Sequence, residues 1–154
     1  MSFGSIVVPS PLGPLTLFAV DGAIVSLDWG KGTETGDPPQ VLKDAAQQLA
    51  EYFSRERTEF TLPLAPEGSP FQKRVWAAMR AIPYGRTRTY GEVAKDLGTA
   101  AIAVGGACGA NPIPIIVPCH RILGTDRLGG YSGLGELDTK RELLRLEGAA
   151  FPAR

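Results

Sequence analysis

Residues 89–110 read TYGEVAKDLGTAAIAVGGACGA, and this stretch decides the fold of the second half of the chain. Thr89 and Glu92 have the spacing of a capping box, which predicts a short helix over residues 90–97. The Gly-Thr pair that follows predicts a tight turn, and residues 100–110 then predict a second helix. Two short helices around a glycine-containing turn are typical of a helix-turn-helix.

The second helix of this pair is composed almost entirely of small residues. Residues 100–107 read AAIAVGGA and contain no Arg, Asn or Gln, the side chains that usually contact base edges in the major groove. Small residues permit close approach of the backbone, either to a neighbouring helix or to a shallow minor groove. From composition alone, packing against another helix is the favoured interpretation.

The first third of the chain has a β pattern. Residues 14–20 and 23–29 are apolar, β-branched runs joined by Asp21-Gly22, a strong signal for a two-residue hairpin turn. Residues 5–8 predict a third strand. Apolar side chains at helical spacing then predict an amphipathic helix over residues 41–53.

Proline and glycine between residues 62 and 70 indicate a linker between two units. We therefore expect an N-terminal sheet and helix domain over residues 1–65 and a mostly helical domain over residues 66–154. Further helices are predicted over 71–82 and 137–146. The fold class is α+β, with a small antiparallel sheet first and the helix-turn-helix in the second domain.

Charge is distributed unevenly over a chain whose formal net charge is zero. Residues 1–68 carry 4 Lys and Arg against 9 Asp and Glu, whereas residues 69–154 carry 12 against 7. A basic half suggests an anionic partner such as nucleic acid. An asymmetry of this size is also compatible with an ordinary solvated surface.

Cysteine and histidine are too few for a metal centre. The chain holds Cys108, Cys119 and His120, whereas a structural zinc site needs four such ligands and a catalytic one needs three protein ligands. We therefore expect no metal and no cofactor. So few cysteines also exclude a disulfide framework and favour a reducing compartment.

No apolar run approaches the length of about 20 residues that spans a bilayer. Residues 1–11 lack the features of a signal peptide. The sequence therefore predicts a cytoplasmic, monomeric protein without a membrane partner.

Pro118-Cys119-His120-Arg121 is the stretch richest in chemistry. A thiol becomes a nucleophile as its thiolate, and a neighbouring base or cation lowers its pKa. The apolar residues 115–117 predict a short buried strand or extended segment. Because neighbouring side chains of extended chain point to opposite faces, Cys119 and His120 would meet only at a bend or through a water molecule. A buried structural cysteine is an equally good interpretation.

The complete stretch NPIPIIVPCHRI at residues 111–122 closely resembles the active-site signature of the O6-alkylguanine-DNA alkyltransferases. The resemblance extends from about residue 69 to residue 148. It includes FQKRVW at 71–76, IPYG at 82–85, TY at 89–90, AVGGA at 103–107, GGYSG at 129–133 and LEG at 146–148. The N-terminal third matches the small sheet domain of this family by layout only.

The resemblance implies a protein that flips an alkylated guanine out of the duplex and transfers the alkyl group irreversibly to a cysteine. One protein molecule is consumed for each lesion. O6-alkylguanine would be the substrate, with O4-methylthymine as an additional one, and the partner would be double-stranded DNA.

Residue roles follow from the same resemblance. Cys119 would accept the alkyl group, and His120 would take its proton through a water while Glu147 orients the imidazole. Asn111 would brace the turn, and Tyr90 would contact the flipped nucleotide's phosphate and assist departure of the guanine. The expected substrate-binding residues are Ile122, Tyr131 and Ser132, and the expected DNA-binding residues are Thr89, Ala101, Ile102, Ala103 and Gly105.

Ile102 is the main departure from the family pattern, which usually has an arginine there to fill the gap left by the flipped base. Ile102 would instead act as an apolar wedge, as in architectural minor-groove proteins. The candidate phosphate contacts are then Lys73, Arg74, Arg86, Arg88 and Lys95. Two other functions are compatible with these residues, a non-catalytic damage-binding protein and a Cys-His hydrolase.

Overall fold

Alternating apolar side chains in the first 30 residues form a three-stranded antiparallel sheet. Its strands are β1 (Phe3–Val8), β2 (Leu15–Val20) and β3 (Ala23–Trp29), with β2 in the centre. The turn between β2 and β3 has φ of 49° at Asp21 and 82° at Gly22. Two consecutive positive φ values are what a primed hairpin turn requires, so the predicted hairpin is confirmed.

The computed structural model describes residues 2–125, 127–129 and 137–152. The chain divides into two compact units, Met1–Glu67 and Gly68–Arg154. The predicted α+β class is confirmed, because the sheet lies in the first unit and most of the helices lie in the second.

One helix, α1 (Gln40–Phe53), covers the sheet of the first unit. Its buried side chains are Leu42, Ala45, Leu49 and Tyr52. They recur at the i, i+3, i+7 and i+10 positions that place side chains on one face of a helix. The core of this unit therefore lies between that face and the buried side chains of the strands.

The predicted linker is partly incorrect. The chain at Leu64 forms a parallel bridge with Ile24, and Ile24 donates to Pro63 O at 2.9 Å while Ala65 donates to Ile24 O at 2.8 Å. Pro63 cannot donate a backbone hydrogen bond, but its carbonyl can accept one, so a proline-rich stretch still pairs at a sheet edge. Residues 62–65 therefore extend the first unit.

The second unit begins with α2 (Pro70–Arg80). The Ser69 side chain accepts from the backbone N–H of Gln72, and the Gln72 side chain accepts from that of Ser69, which forms a complete capping box. The buried indole of Trp76 on this helix donates its Nε1–H to Ala107 O at 2.8 Å. The pair connects α2 to the helix-turn-helix.

The helix-turn-helix consists of α3 (Tyr90–Leu97) and α4 (Ala101–Gly109). The predicted capping box is confirmed, because Thr89 Oγ1 accepts from Glu92 N–H at 3.1 Å and Glu92 Oε1 accepts from Thr89 N–H at 2.8 Å. Gly98 ends α3 with φ of 69°, a left-handed conformation that glycine adopts without strain.

Two short strands and a helix follow in the described part of the second unit. A short parallel pair, β4 (Arg88–Thr89) with β5 (Ile122–Leu123), joins the start of α3 to the chain that follows Cys119. The last helix is α5 (Leu137–Glu147). In the described part of the chain, no helix combines the length and apolar character needed to cross a membrane.

A substitution of Gly22 tests the hairpin turn. Gly22→Ala should lower the free energy of unfolding by about 1–2 kcal/mol, because a left-handed conformation crowds a Cβ against the backbone. No described atom lies within 4 Å of the position that this Cβ would occupy, so the cost comes from conformation alone. Urea denaturation measures the change.

Gly36→Ala is the matched control, because the site of its Cβ is equally open and its φ is not positive. Equal stability of the Gly22 and Gly36 variants would contradict the assignment of the turn.

Candidate active site

Asn111 closes the loop that precedes Cys119. Its side-chain Nδ2 donates to Val117 O at 2.9 Å, and its Oδ1 accepts from Ile113 N–H at 3.0 Å. Val117 N–H in turn donates to Ile113 O at 2.9 Å. The asparagine is itself buried, so it provides hydrogen bonds to backbone groups that have no access to water.

The buried run before Cys119 is a turn and not the predicted strand or extended segment. Residues 114–116 form a hydrogen-bonded turn, and Ile115 has φ of 73°. Proline at 112, 114 and 118 removes three N–H donors that a strand ladder would need, which explains why the apolar run does not extend. A β-branched residue at positive φ is strained, and the buried surroundings of Ile115 hold it there.

Cys119, His120 and Arg121 form one turn of 3-10 helix, which we call the active turn. Of the two alternatives that the sequence leaves open, a bend or a bridging water, the chain has the bend at this point. Every residue from Ile113 to Leu123 is buried. The thiol and the imidazole thus belong to a buried segment.

Glu147 at the end of α5 pairs with both residues that follow Cys119. His120 Nε2 lies 2.7 Å from Glu147 Oε2, and Arg121 donates to the same carboxylate from Nε at 2.8 Å and from Nη2 at 3.0 Å. Arg121 Nη1 also donates to Ile82 O at 2.7 Å. The arginine therefore ties the active turn to α5 and to the end of α2.

Hydrogen bonding keeps Glu147 ionised despite its burial. Burial alone would raise the pKa of Glu147, but His120 and Arg121 outweigh it and lower that pKa to about 2. Burial lowers the pKa of His120 against the opposing effect of Glu147, so the imidazole is neutral near pH 7. A neutral imidazole beside a carboxylate carries its proton on Nε2.

His120 Nδ1 is then an acceptor. Within the described residues, it is the one buried side-chain nitrogen or oxygen without a hydrogen-bond partner. A buried acceptor without a partner destabilises the fold, because it has lost its hydrogen bonds to water. The imidazole is therefore oriented by Glu147 and keeps an acceptor for a proton.

The two cysteines differ in their surroundings. Burial and the neighbouring Cys119 raise the pKa of the Cys108 thiol to about 12, so this thiol stays neutral. Cys108 lies near the end of α4 and has no histidine beside it in sequence. Cys108 is buried and packs as a small core residue.

The predicted substrate residues are only partly described. Ile122 is fully buried directly after the active turn, and Tyr90 is half-buried at the start of α3. A Cβ on Gly129, whose φ is 76°, would lie 2.7 Å from Cε2 of Tyr90, so the chain passes closely over this ring. Tyr131 and Ser132 lie outside the described residues.

The predicted DNA-binding residues lie on the helix-turn-helix, with Thr89 at the N-cap of α3 and the others on α4. Ala101 and Ile102 are exposed on the first turn of α4, and Ile102 is 86% exposed. Ala103, Gly105 and Thr89 are half-buried. Exposure of a large apolar side chain to this degree at the first turn of a helix is consistent with a wedge and not with packing in the core.

The candidate phosphate contacts are not equivalent. Arg88 pairs with Asp96 at 2.7 Å, and Arg74 donates to Leu97 O at 3.2 Å. Lys73, Arg86 and Lys95 are exposed. The carboxylate of Asp96 therefore partly neutralises the charge that Arg88 could offer to a phosphate.

Lys140 is a candidate site residue that was not predicted from the sequence. Its side chain is completely buried in the second unit, and Nζ donates to Ile122 O at 2.7 Å. A signal for it exists, because Lys140, Leu143, Leu144 and Glu147 occupy the i, i+3, i+4 and i+7 positions of α5. Two charged residues in an otherwise apolar stripe indicate a function or a buried pair.

Comparison with known families accounts for nearly the whole chain. The family profile described as 6-O-methylguanine DNA methyltransferase, DNA binding domain, matches residues 70–149. The profile described as 6-O-methylguanine DNA methyltransferase, ribonuclease-like domain, matches residues 5–66.

Individual relatives agree with these profiles. A methylated-DNA–protein-cysteine methyltransferase of Mycolicibacterium paratuberculosis is 46% identical over 155 residues, covering 95% of this chain and 93% of the relative. One from Methanosarcina acetivorans is 44% identical and covers 91% of this chain and 95% of the relative. The crystal structure of Mycobacterium tuberculosis OGT in complex with DNA superposes with a TM-score of 0.82 at 43% identity, covering 97% of this chain and 95% of that chain.

The buried carboxylate predicts a particular pH dependence of stability. The pKa of Glu147 is about 2 in the folded protein against an ordinary value of 4.5, so its contribution is present above pH 4.5 and is lost as the pH falls from there towards 2. The lowered pKa of His120 adds a loss that begins as the pH falls below 6.5. The contribution of Glu147 is on the order of 3 kcal/mol.

Glu147→Gln should therefore lower the unfolding temperature at pH 7 and flatten its dependence on pH between 7 and 3, as measured by calorimetry. Glu142→Gln is the matched control, because Glu142 lies on the same helix in an exposed pair with Arg145. A wild-type curve that is flat over this range would contradict the buried network.

Proposed function

Because the chain belongs to the 6-O-methylguanine DNA methyltransferase family, we propose that Cys119 is the acceptor of the alkyl group and His120 the base that activates it. The reaction is a direct and irreversible repair of O6-alkylguanine in double-stranded DNA. The protein is a methylated-DNA–protein-cysteine methyltransferase that acts once per molecule.

The observation that carries this assignment is the arrangement of His120. Its Nε2 lies 2.7 Å from the Glu147 carboxylate, and its Nδ1 is the orphaned acceptor of the buried segment. A base that is oriented by a third group and adjoins a thiol is the arrangement that generates a nucleophile. Glu147 stabilises the imidazolium once the proton has arrived.

In the proposed reaction, the proton of the Cys119 thiol passes through a bridging water to His120 Nδ1. The thiolate sulfur then forms a bond to the alkyl carbon while the bond from that carbon to O6 of guanine breaks. The bonding electrons leave with the guanine, which takes up a proton. No group in the described site removes an alkyl group from the resulting thioether, so the protein acts once.

Cys119 is chosen over Cys108 by its neighbours. The raised pKa of Cys108, about 12, keeps that thiol protonated at pH 7, and a thiol is a far weaker nucleophile than a thiolate. Cys119 is followed directly by the oriented base. Displacement at an alkyl carbon needs a polarizable sulfur anion and no metal.

Tyr90, Ile122, Tyr131 and Ser132 are proposed to form the base pocket. Tyr90 contacts the phosphate of the flipped nucleotide and gives a hydrogen bond or proton to the departing guanine. Backbone groups of Cys119 and Ile122, with Ser132, read the edge of the base, and Tyr131 walls the pocket. Asn111 maintains the turn from which the backbone groups are presented.

The start of α4 is proposed to enter the minor groove. Ala101, Ala103 and Gly105 present little bulk there, which permits close approach to the DNA backbone. Thr89 is proposed to contact DNA from the N-cap of α3. The exposed Ile102 inserts as an apolar wedge and fills the space of the flipped base. Extrusion of a base costs a few kcal/mol and less for a weakened pair, so a wedge without charge suffices for a damaged base.

We also propose a cytoplasmic location for a monomeric protein. Neither Cys108 nor Cys119 forms a disulfide, and the activity requires that Cys119 remains reduced until it meets DNA. A reducing compartment supplies that condition.

Mass spectrometry of the intact protein tests the assignment. After incubation with a duplex that carries O6-methylguanine, the wild type should gain one methyl group, saturate at one per protein and carry it on Cys119 in the peptide map. Cys108→Ala should react to the same extent, because Cys108 takes no part. Cys119→Ser should gain nothing, since a serine hydroxyl is not ionised at pH 7.

Methyl transfer to Cys108, or repair of more than one lesion per protein, would contradict the proposal. Binding of the lesion without transfer would instead identify a damage-binding protein.

A gain-of-function variant tests the role of Ile102. Ile102→Arg should bind duplex DNA about tenfold more tightly and repair it faster, because a charged side chain in the minor groove adds hydrogen bonds and a phosphate contact. Fluorescence anisotropy at several salt concentrations measures the affinity and its salt dependence.

Gln47→Arg is the matched control, because Gln47 is exposed on α1 and the substitution adds the same charge outside the helix-turn-helix. Equal effects of the two substitutions would show that net charge alone acts and that position 102 does not contact DNA.

A further inference from the structure

Lys140 is a buried cation that the proposed reaction leaves without a role. Its side chain is fully buried near the start of α5, although lysine is almost never fully buried unless it is paired. Transfer of an ammonium group out of water is costly, and a methionine would fill the same space without that cost. A lysine at this position is therefore expected to have a function that compensates for the cost of burying its charge.

Hydrogen bonds connect Lys140 to the active turn. Nζ donates to Ile122 O at 2.7 Å, and Ile122 N–H donates to the carbonyl of Cys119. The ammonium also lies 5.8 Å from the centroid of the Tyr90 ring, within reach of a cation–π interaction. Nζ of Lys140 thus contacts the segment that carries Cys119, the proposed acceptor. It also lies near the ring of Tyr90, which is proposed to assist departure of the guanine.

The charge of Lys140 is coupled to both thiols. Burial lowers the pKa of Lys140 to about 8, against the opposing effects of Cys119 and Cys108, so the group is mostly protonated at pH 7. The same charge lowers the pKa of His120, which helps to keep the imidazole neutral and able to accept a proton. The described titratable groups around it are Cys108 from α4, Cys119 and His120 from the active turn, and Tyr90 from α3.

We propose that the Lys140 ammonium is a positioning residue that stabilises the thiolate form of Cys119 and fixes the Ile122 carbonyl and the Tyr90 ring beside it. This inference rests on the proposed role of Cys119 as the acceptor. Lys140 keeps its own proton throughout, because the thiol proton goes to His120. In a buried site with little water, a fixed positive charge favours an anion more strongly than it would at the surface.

The first experiment measures the reactivity of Cys119 without DNA. Wild type and Lys140→Met are treated with iodoacetamide between pH 5 and 10, and mass spectrometry follows carboxamidomethylation of Cys119. In the variant, the apparent pKa of Cys119 should rise by one unit or more, which corresponds to about tenfold slower alkylation at pH values where the thiol is mostly protonated. Circular dichroism establishes that both proteins are folded.

Arg145→Met is the matched control, because it removes one positive charge from an exposed position of the same helix. Its Cys119 should titrate as in the wild type. Lys140→Arg keeps the charge and should recover part of the lost reactivity. An unchanged Cys119 pKa in folded Lys140→Met would overturn the inference.

The second experiment examines the coupling from the side of the lysine and needs no substitution at 140. Interacting sites shift each other's titration, so the effect must appear on both partners. NMR of carbon-13-labelled lysine in wild type and Cys119→Ser should give a lower pKa for Lys140 in the serine variant, because the neighbouring anion is absent. Equal Lys140 pKa values in the two proteins would overturn the inference, also where Lys140→Met fails to fold.

These readouts separate the inference from the proposed function. Both are made without DNA, so methyl transfer with no coupling between Cys119 and Lys140 would reject the inference alone. Coupling without methyl transfer would instead support thiol activation by Lys140 and reject the assigned reaction.

Discussion

The buried carboxylate of Glu147 is the constraint on which the rest of the second unit depends. It accepts hydrogen bonds from His120 and from two nitrogens of Arg121, and Arg121 continues to the carbonyl of Ile82. One acidic side chain therefore fixes the end of α5, the active turn and the end of α2. A charge this deeply buried is tolerated only when it is fully paired, so no member of the network is free to move independently.

Catalysis and stability make different demands on this network. Arg121 serves both, because its fork satisfies the carboxylate that orients the imidazole. In the proposed reaction His120 Nδ1 accepts the thiol proton, whereas an unpaired buried acceptor destabilises the fold. Lys140 adds a second buried charge close to the same turn. The site thus concentrates several costly groups in one segment, and the hydrophobic residues around them supply the stability that these groups reduce.

Much of the architecture could be predicted from the sequence because it depends on local rules. Capping residues, an Asp-Gly turn and apolar side chains at periods of 2 and 3.6 act within a few residues, so the hairpin, α1 and the helix-turn-helix were all found. The strand prediction for residues 115–117 is wrong, because β-branched side chains favour a strand while the prolines that flank them remove its donors. The strand prediction rests on the preference of β-branched residues and leaves out the donors lost at proline.

The sequence by itself determined the family, the order of most of the elements and the candidate reactive pair, since Cys119 and His120 are neighbours in the chain. Only the tertiary structure decided which groups surround that pair. Glu147 and Lys140 lie more than 15 residues from it in sequence, and folding of α5 onto the active turn brings both into contact with it. Burial then sets the pairing and the pKa of each charged group, because both depend on the removal of water. No local sequence pattern specifies that removal.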